Sequence, residues 1–155
     1  MNTALAPAGA VTMIENALAQ VNAVTAPQLT FRFGGTTDAT TSEADKIIVR
    51  WTNLRGGRYG EGAPQPWPAG PKLTGGYIEL NRAYPANRAL ALHEVGHVLN
   101  LAHVEEAGEI MQPDFLDIRG LTSYGPGDRA GLSAQARSCV YGAQGDAGAR
   151  GRSGG

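Results

Sequence analysis

Cysteine occurs once in the 155 residues, at Cys139. No internal disulfide can form, and no cysteine cluster can bind a metal. An excess of basic charge is also missing, since 13 Lys and Arg face 14 Asp and Glu for a formal charge of −1. Nucleic acids and anionic membrane surfaces select for a clear surplus of Lys and Arg, so neither is an expected partner. No stretch approaches the ~18 consecutive apolar residues of a membrane span. Met1 to Thr12 lacks the basic start and apolar run of a secretion signal. Histidine is scarce as well, with three in the chain, but all three fall at positions 93, 97 and 103.

Glycine is abundant: 22 of 155 residues is about twice the usual ~7% share, which predicts a loop-rich fold. The length matches one domain against a prior of roughly 150 residues per domain. Val11, Ile14, Ala17, Leu18, Val21 and Val24 recur at spacings of three and four, predicting a helix that Pro27 ends. Leu29, Phe31 and Phe33 alternate with Thr30 and Arg32, the period of a strand with one buried face. Ile47, Ile48 and Val49 in a row predict a strand over Lys46 to Trp51 that is covered on both sides.

A Gly- and Pro-crowded stretch from Thr52 to Gly75 exceeds the ~12 to 15 residues of ordinary loops. It is expected to serve a site or cover a sheet edge. Tyr77 to Asn81 reads as a further strand. Pro85 suits a first helical position, and Ala89 to Leu101 carries strong helix formers with Leu92, Val95 and Leu99 along one side. Pro126 and Gly127 open a last helix with Leu132, Ala136, Cys139 and Val140 on its apolar face, and Gly142 is the expected stop. A buried helix thiol is the reading for Cys139. Residues 143–155, with five glycines, are read as a Gly-rich disordered tail.

The segment His93-Glu94-Val95-Gly96-His97 is H-E-x-x-H on a predicted helix. Residues four apart on a helix differ by roughly 40° in azimuth and 6 Å in rise, so both imidazoles can face one ion. Glu94 lies where its carboxylate can reach a water on that ion. On a continuous helix His103 would lie roughly 240° beyond His97, so the chain must turn sharply between them. Asn100 stands where that turn is needed, and Asn tolerates the left-handed conformation better than most residues. Three histidines with an open fourth position form the donor set of a catalytic zinc, since structural zinc sites are closed by four protein ligands.

HEVGHVLNLAH resembles the metzincin zinc-protease signature H-E-x-x-H-x-x-G-x-x-H, with Asn100 in place of the usual Gly. Met111, eight residues after His103, then Pro113 and Phe115, resemble the Met-turn of the matrixin (matrix-metalloproteinase-like) branch. The astacin and serralysin branches instead place a Tyr two residues after that Met. The resemblance covers about residues 8–142, and the specific part runs from His93 to Phe115.

It implies an α+β fold: a twisted, mixed, mostly parallel sheet backed by two helices, an active-site zinc helix, and a small C-terminal subdomain with one helix. Five strands are implied by the family, three by the sequence pattern. The catalytic domain would span 1–142, with an upper subdomain at 8–103 and a lower one at 104–142.

The implied function is zinc-dependent endopeptidase activity on extended polypeptides. One catalytic Zn²⁺ would be held by His93, His97 and His103, with Glu94 as general base and Met111 as an apolar floor. Pro113, Phe115 and Leu121 would line the substrate pocket and favour an apolar residue just after the scissile bond. The matrixins carry a second zinc on further histidines, and this chain has none left for it. Ca²⁺ is allowed but has no place assigned, since Glu61 is the one carboxylate of the long stretch. A secreted monomer is expected, with any propeptide or inhibitor supplied from outside these residues. The alternative reading is a non-catalytic or latent zinc-binding domain that serves as a binding module; the intact Glu94 speaks against it.

Overall fold

The computed structural model describes residues 1–41, 43–65 and 74–149, with side chains described as far as residue 138. The elements run α1 (Ala10–Thr25), β1 (Lys46–Thr52), β2 (Gly60–Pro64), β3 (Gly75–Asn81), α2 (Arg88–Val98), α3 (Phe115–Ile118) and α4 (Pro126–Ala149). This is a small α+β domain with a three-stranded mixed sheet and four helices. The strand order is β1-β3-β2. β3 pairs in parallel with β1 and antiparallel with β2.

The expected predominance of parallel pairs is therefore not found among the described residues, and three strands are present where the resemblance implied five. The antiparallel pair comes from the long Gly- and Pro-rich stretch, whose middle folds as β2 at one edge of the sheet. Pro64 sits at the end of this edge strand, a place where its missing N–H removes no ladder bond. Residues 66–73 of that stretch lie outside the described residues.

α1 buries Ala10, Met13, Ile14, Ala17 and Val21 on one stripe and lies against α2 and α4. Ile48 and Val49, adjacent in β1, are both buried, so that strand is covered on both faces as its apolar run requires. α2 lies against β2 and β3 and carries nine buried residues out of eleven. It forms the middle of the domain, and its all-round burial follows from neighbours on every side.

Four further expectations need correction or fall outside the described residues. Leu29, Phe31 and Phe33 alternate in burial with exposed Thr30 and Arg32, but the segment forms no strand, because no backbone ladder reaches it. Pro85 is not the first helical residue. Asn87 caps α2 instead, its side-chain oxygen accepting from the amide of Leu90 at 3.1 Å, the role for which a short polar side chain is favoured. α4 passes Gly142 and continues to Ala149, since a helical Gly costs only about 1 kcal/mol relative to Ala. The thiol of Cys139, the side chain of Val140 and residues 150–155 lie outside what is described. Among the described residues no helix is long and apolar enough to cross a membrane.

Candidate metal centre

The last turn of α2 decides where the third histidine goes. Leu99 follows the helix, and Asn100 takes φ of 64°, the left-handed conformation its position calls for. The amide of Leu101 donates to the carbonyl of Gly96 at 2.9 Å, and that of Asn100 to the carbonyl of His97 at 2.9 Å. These two bonds make a Schellman termination, which satisfies carbonyls that the helix end would otherwise orphan. The chain reverses there and returns His103 towards α2.

The result is a cluster of three ring nitrogens. Nε2 of His97 lies 3.0 Å from Nε2 of His93 and 3.0 Å from Nε2 of His103, and the third side of the triangle is 3.2 Å. Two of the rings have their tautomer set by backbone. Nδ1 of His93 lies 2.7 Å from the carbonyl oxygen of Ile110, and Nδ1 of His97 lies 2.9 Å from that of Leu101. A carbonyl only accepts, so both Nδ1 atoms carry a proton, and in the neutral form of each ring Nε2 presents its lone pair.

Lone pairs facing one another at 3 Å repel unless a cation lies between them. An ion with the usual Zn–N distance of about 2.05 Å to each nitrogen fits roughly 1 Å above the plane of this triangle. The three histidines thus form a group able to hold a metal ion. His93 is buried, His97 half-buried and His103 exposed, so the open side lies towards solvent. Burial lowers the His93 pKa to about 4, with the Ile110 carbonyl opposing and the two neighbouring rings adding to the fall. His103 is lowered as well, by burial and then by His97. Both are neutral at physiological pH, the form a metal requires.

Glu94 is 4% exposed and lies under β2. A Cβ on Gly60 would overlap its carboxylate, and one on Gly62 would overlap its backbone carbonyl. The two glycines let the strand settle directly on the helix. Burial raises the Glu94 pKa to about 8, the charge of Glu61 adds to the rise, and a hydrogen bond with the Gly62 backbone opposes it. In the metal-free protein such a group holds its proton near neutral pH, and a cation on the neighbouring histidines would oppose the rise and favour the carboxylate that a general base requires.

Met111 is 1% exposed, and a Cβ on Gly96 would overlap its sulfur. It packs against α2 at Gly96, and the glycine inside H-E-V-G-H is the contact that admits it. The turn carrying Met111 is held from α4. Asp128 accepts from the amides of Ile110 at 2.5 Å and Met111 at 3.3 Å, and Glu109 accepts from the amides of Gly127 at 2.9 Å and Asp128 at 2.8 Å. Burial pushes the Glu109 carboxyl up, but those amide bonds outweigh it and its pKa falls below the ordinary range. Asp128 and His93 meet at the single residue Ile110, whose N–H donates to the first and whose C=O accepts from the second. Tyr124 adds a further tie, its hydroxyl donating to the Leu92 carbonyl at 2.7 Å.

Of the residues expected at the substrate pocket, Phe115 is half-buried and stacks on Tyr59, with ring centroids 4.4 Å apart. Tyr59 precedes Gly60, so Phe115 stands on the Glu94 side of the centre. Pro113 is exposed, and Leu121 is half-buried against the core. The sequence reading missed Gly60, Gly62, Glu109, Asp128 and the two backbone carbonyls. Asp128, the third residue of a helix opened by Pro126, was the one with a signal, since acidic residues favour that first turn. The Leu101 carbonyl lies four residues from His97 and follows from the turn at Asn100, whereas the others act across a long chain separation that the sequence does not reveal. Compared with models of known families and with characterised proteins, the chain matches none of them.

Proposed function

We propose that this protein is a zinc-dependent endopeptidase of the metzincin type, similar to the matrixin branch. The observation that carries the proposal is the convergence of three imidazole Nε2 atoms, two with their Nδ1–H atoms tied to backbone carbonyls, on a helix that also carries the buried Glu94 directly after His93. Three converging imidazole nitrogens and an open side suit zinc in its catalytic form. Zinc held there supplies Lewis-acid polarisation of a peptide carbonyl and lowers the pKa of a water from ~15.7 towards ~7.

The remaining steps belong to the chain. Glu94 accepts the proton of the attacking water at its carboxylate and returns it to the leaving amine. Gly62 steadies that carboxylate from β2. β2, at the edge of the sheet, offers free backbone groups to a substrate that lies alongside it as an extended strand. Phe115, with Tyr59 behind it, gives an apolar wall that favours an apolar side chain after the scissile bond. An extracellular site of action is part of the same proposal.

The test is digestion of casein by the zinc-loaded protein, with and without a chelator, beside Glu94→Ala. Cleavage should stop with the chelator, return on adding zinc, and fall by about 10² to 10⁴ in Glu94→Ala while one zinc stays bound. Zinc binding with no hydrolysis of casein or of a peptide library would sink the peptidase reading and leave a binding module.

A further inference from the structure

Both carboxyl oxygens of Asp128 accept from the chain around the Ile110 carbonyl. Oδ2 takes the amide of Ile110 at 2.5 Å and Oδ1 that of Met111 at 3.3 Å, so one side chain gathers the two successive amides that flank this carbonyl. The amide of Gly125 also donates to Oδ2, at 3.2 Å, and fixes the group at the start of α4. Burial raises the Asp128 pKa, the amides of Ile110 and Gly125 oppose the rise, and Glu109 adds to it. An amide only donates, so three of them select the acceptor form of the group.

The carbonyl of Ile110 and the amide of Met111 belong to one peptide group. Its oxygen accepts the Nδ1–H of His93 at 2.7 Å while its N–H points to Asp128. Hydrogen bonds in series polarise one another, and they do so more strongly in a buried setting than in water. An acceptor at the N–H end therefore makes the carbonyl oxygen a better acceptor for the ring proton. His97 supplies the comparison within the same centre. Its Nδ1–H meets the Leu101 carbonyl at 2.9 Å, but the amide of that peptide, on Ala102, has no hydrogen-bond acceptor among the described residues.

We infer that Asp128 is a positioning residue for the metal centre and acts on His93 through the Ile110–Met111 peptide. It holds the ring proton at Nδ1, keeps Nε2 turned to the other two imidazoles, and raises the donor strength of that Nε2. Metal-ligating histidines give their second N–H to a carboxylate, a carbonyl or a water. Here a carbonyl and a carboxylate stand in line behind one ring. The effect on an ion rests on the zinc reading of the three histidines, whereas the hold on the ring is a property of the metal-free protein.

Two-bond ¹H–¹⁵N correlation spectra of the metal-free protein, taken at mildly alkaline pH, report which ring nitrogen carries the proton. In the wild type the Nδ1–H tautomer should be more complete at His93 than at His97. Asp128→Asn offers the two amides one oxygen in place of two, so that tautomer should decline at His93 and stay unchanged at His97. Zinc, titrated in competition with a chromophoric chelator, should bind this variant about 10- to 100-fold more weakly. Thr25→Val is the control for lost stability, since the buried Thr25 hydroxyl bonds the carbonyls of Val21 and Leu29 and none of the histidines. It should lower the melting temperature and leave both the His93 tautomer and the zinc affinity as they are. Equal tautomer populations at His93 and His97 in the wild type overturn the inference without any substitution, even if Asp128→Asn does not fold. So does weaker zinc binding with the His93 tautomer unmoved, or an equal loss of affinity in Thr25→Val. A wild type that shows the His93 tautomer shift on substitution but binds no zinc would overturn the metal reading and keep the hold of Asp128 on the ring.

Discussion

At Asn100 one backbone angle sets the geometry of the whole centre. With φ at 64°, a residue bearing a Cβ is strained unless, like Asn, it tolerates this region, and Gly alone is free of the penalty. Asn100→Gly should keep or slightly raise the melting temperature and leave metal affinity unchanged. Asn100→Val should cost about 1–2 kcal/mol and weaken zinc binding by more than the stability loss alone, because His103 is carried by that turn. Calorimetric melting beside a zinc titration separates the two effects. Glu94 belongs to the same scale: its identity was legible in H-E-x-x-H, whereas its burial and raised pKa come from β2, which the motif does not contain.

Among the elements, α2 is gripped from two sides through glycine. β2 rests on Glu94 at Gly60 and Gly62, and Met111 rests on Gly96. Gly96→Ala forces its methyl into the Met111 sulfur, and overpacking of this kind typically costs about 1–3 kcal/mol. Gly62→Ala meets the backbone carbonyl of Glu94, which has no rotamer to yield, so β2 itself must move. The expected outcome for Gly62→Ala is loss of hydrolysis with zinc retained, and for Gly96→Ala a lower melting temperature together with weaker zinc binding.

The grip on the Met111 turn from α4 gives another prediction. Asp128→Ala leaves the amides of Ile110, Met111 and Gly125 without their acceptor. A buried amide left without its acceptor costs about 1–3 kcal/mol, so a loss of several kcal/mol in denaturant unfolding is expected. Asp128→Asn, which keeps one acceptor oxygen, should recover part of it. An unchanged unfolding midpoint in Asp128→Ala would mean that the turn is held elsewhere.

On the scale of the whole molecule, an ion held by the three histidines would tie α2 to the chain that returns through His103. Binding to the folded state alone stabilises it by about 2.7 kcal/mol when free zinc stands at a hundred times the dissociation constant. Metal analysis should find one tightly bound zinc per chain, and a chelator should lower the melting temperature reversibly. Two tightly bound ions would show a second site that three histidines do not account for. Local information sufficed wherever partners are close in sequence: the α1 stripe, the doubly covered β1, the histidine spacing and the turn at Asn100 all follow from periodicity and backbone preference. Leu29 to Phe33 has a strand's alternation without a strand's ladder, and a ladder depends on a neighbour that periodicity does not identify. The mixed sheet, the settling of β2 onto Glu94 and the tie from Asp128 to the Met111 turn depend likewise on residues far apart in the chain. The sequence alone therefore determined which side chains can bind a metal and where the chain reverses to gather them, because a helix and its cap are set within a few residues. Only the tertiary structure decided which glycines, carbonyls and carboxylates surround them, since close approach and burial exist only once distant segments pack together.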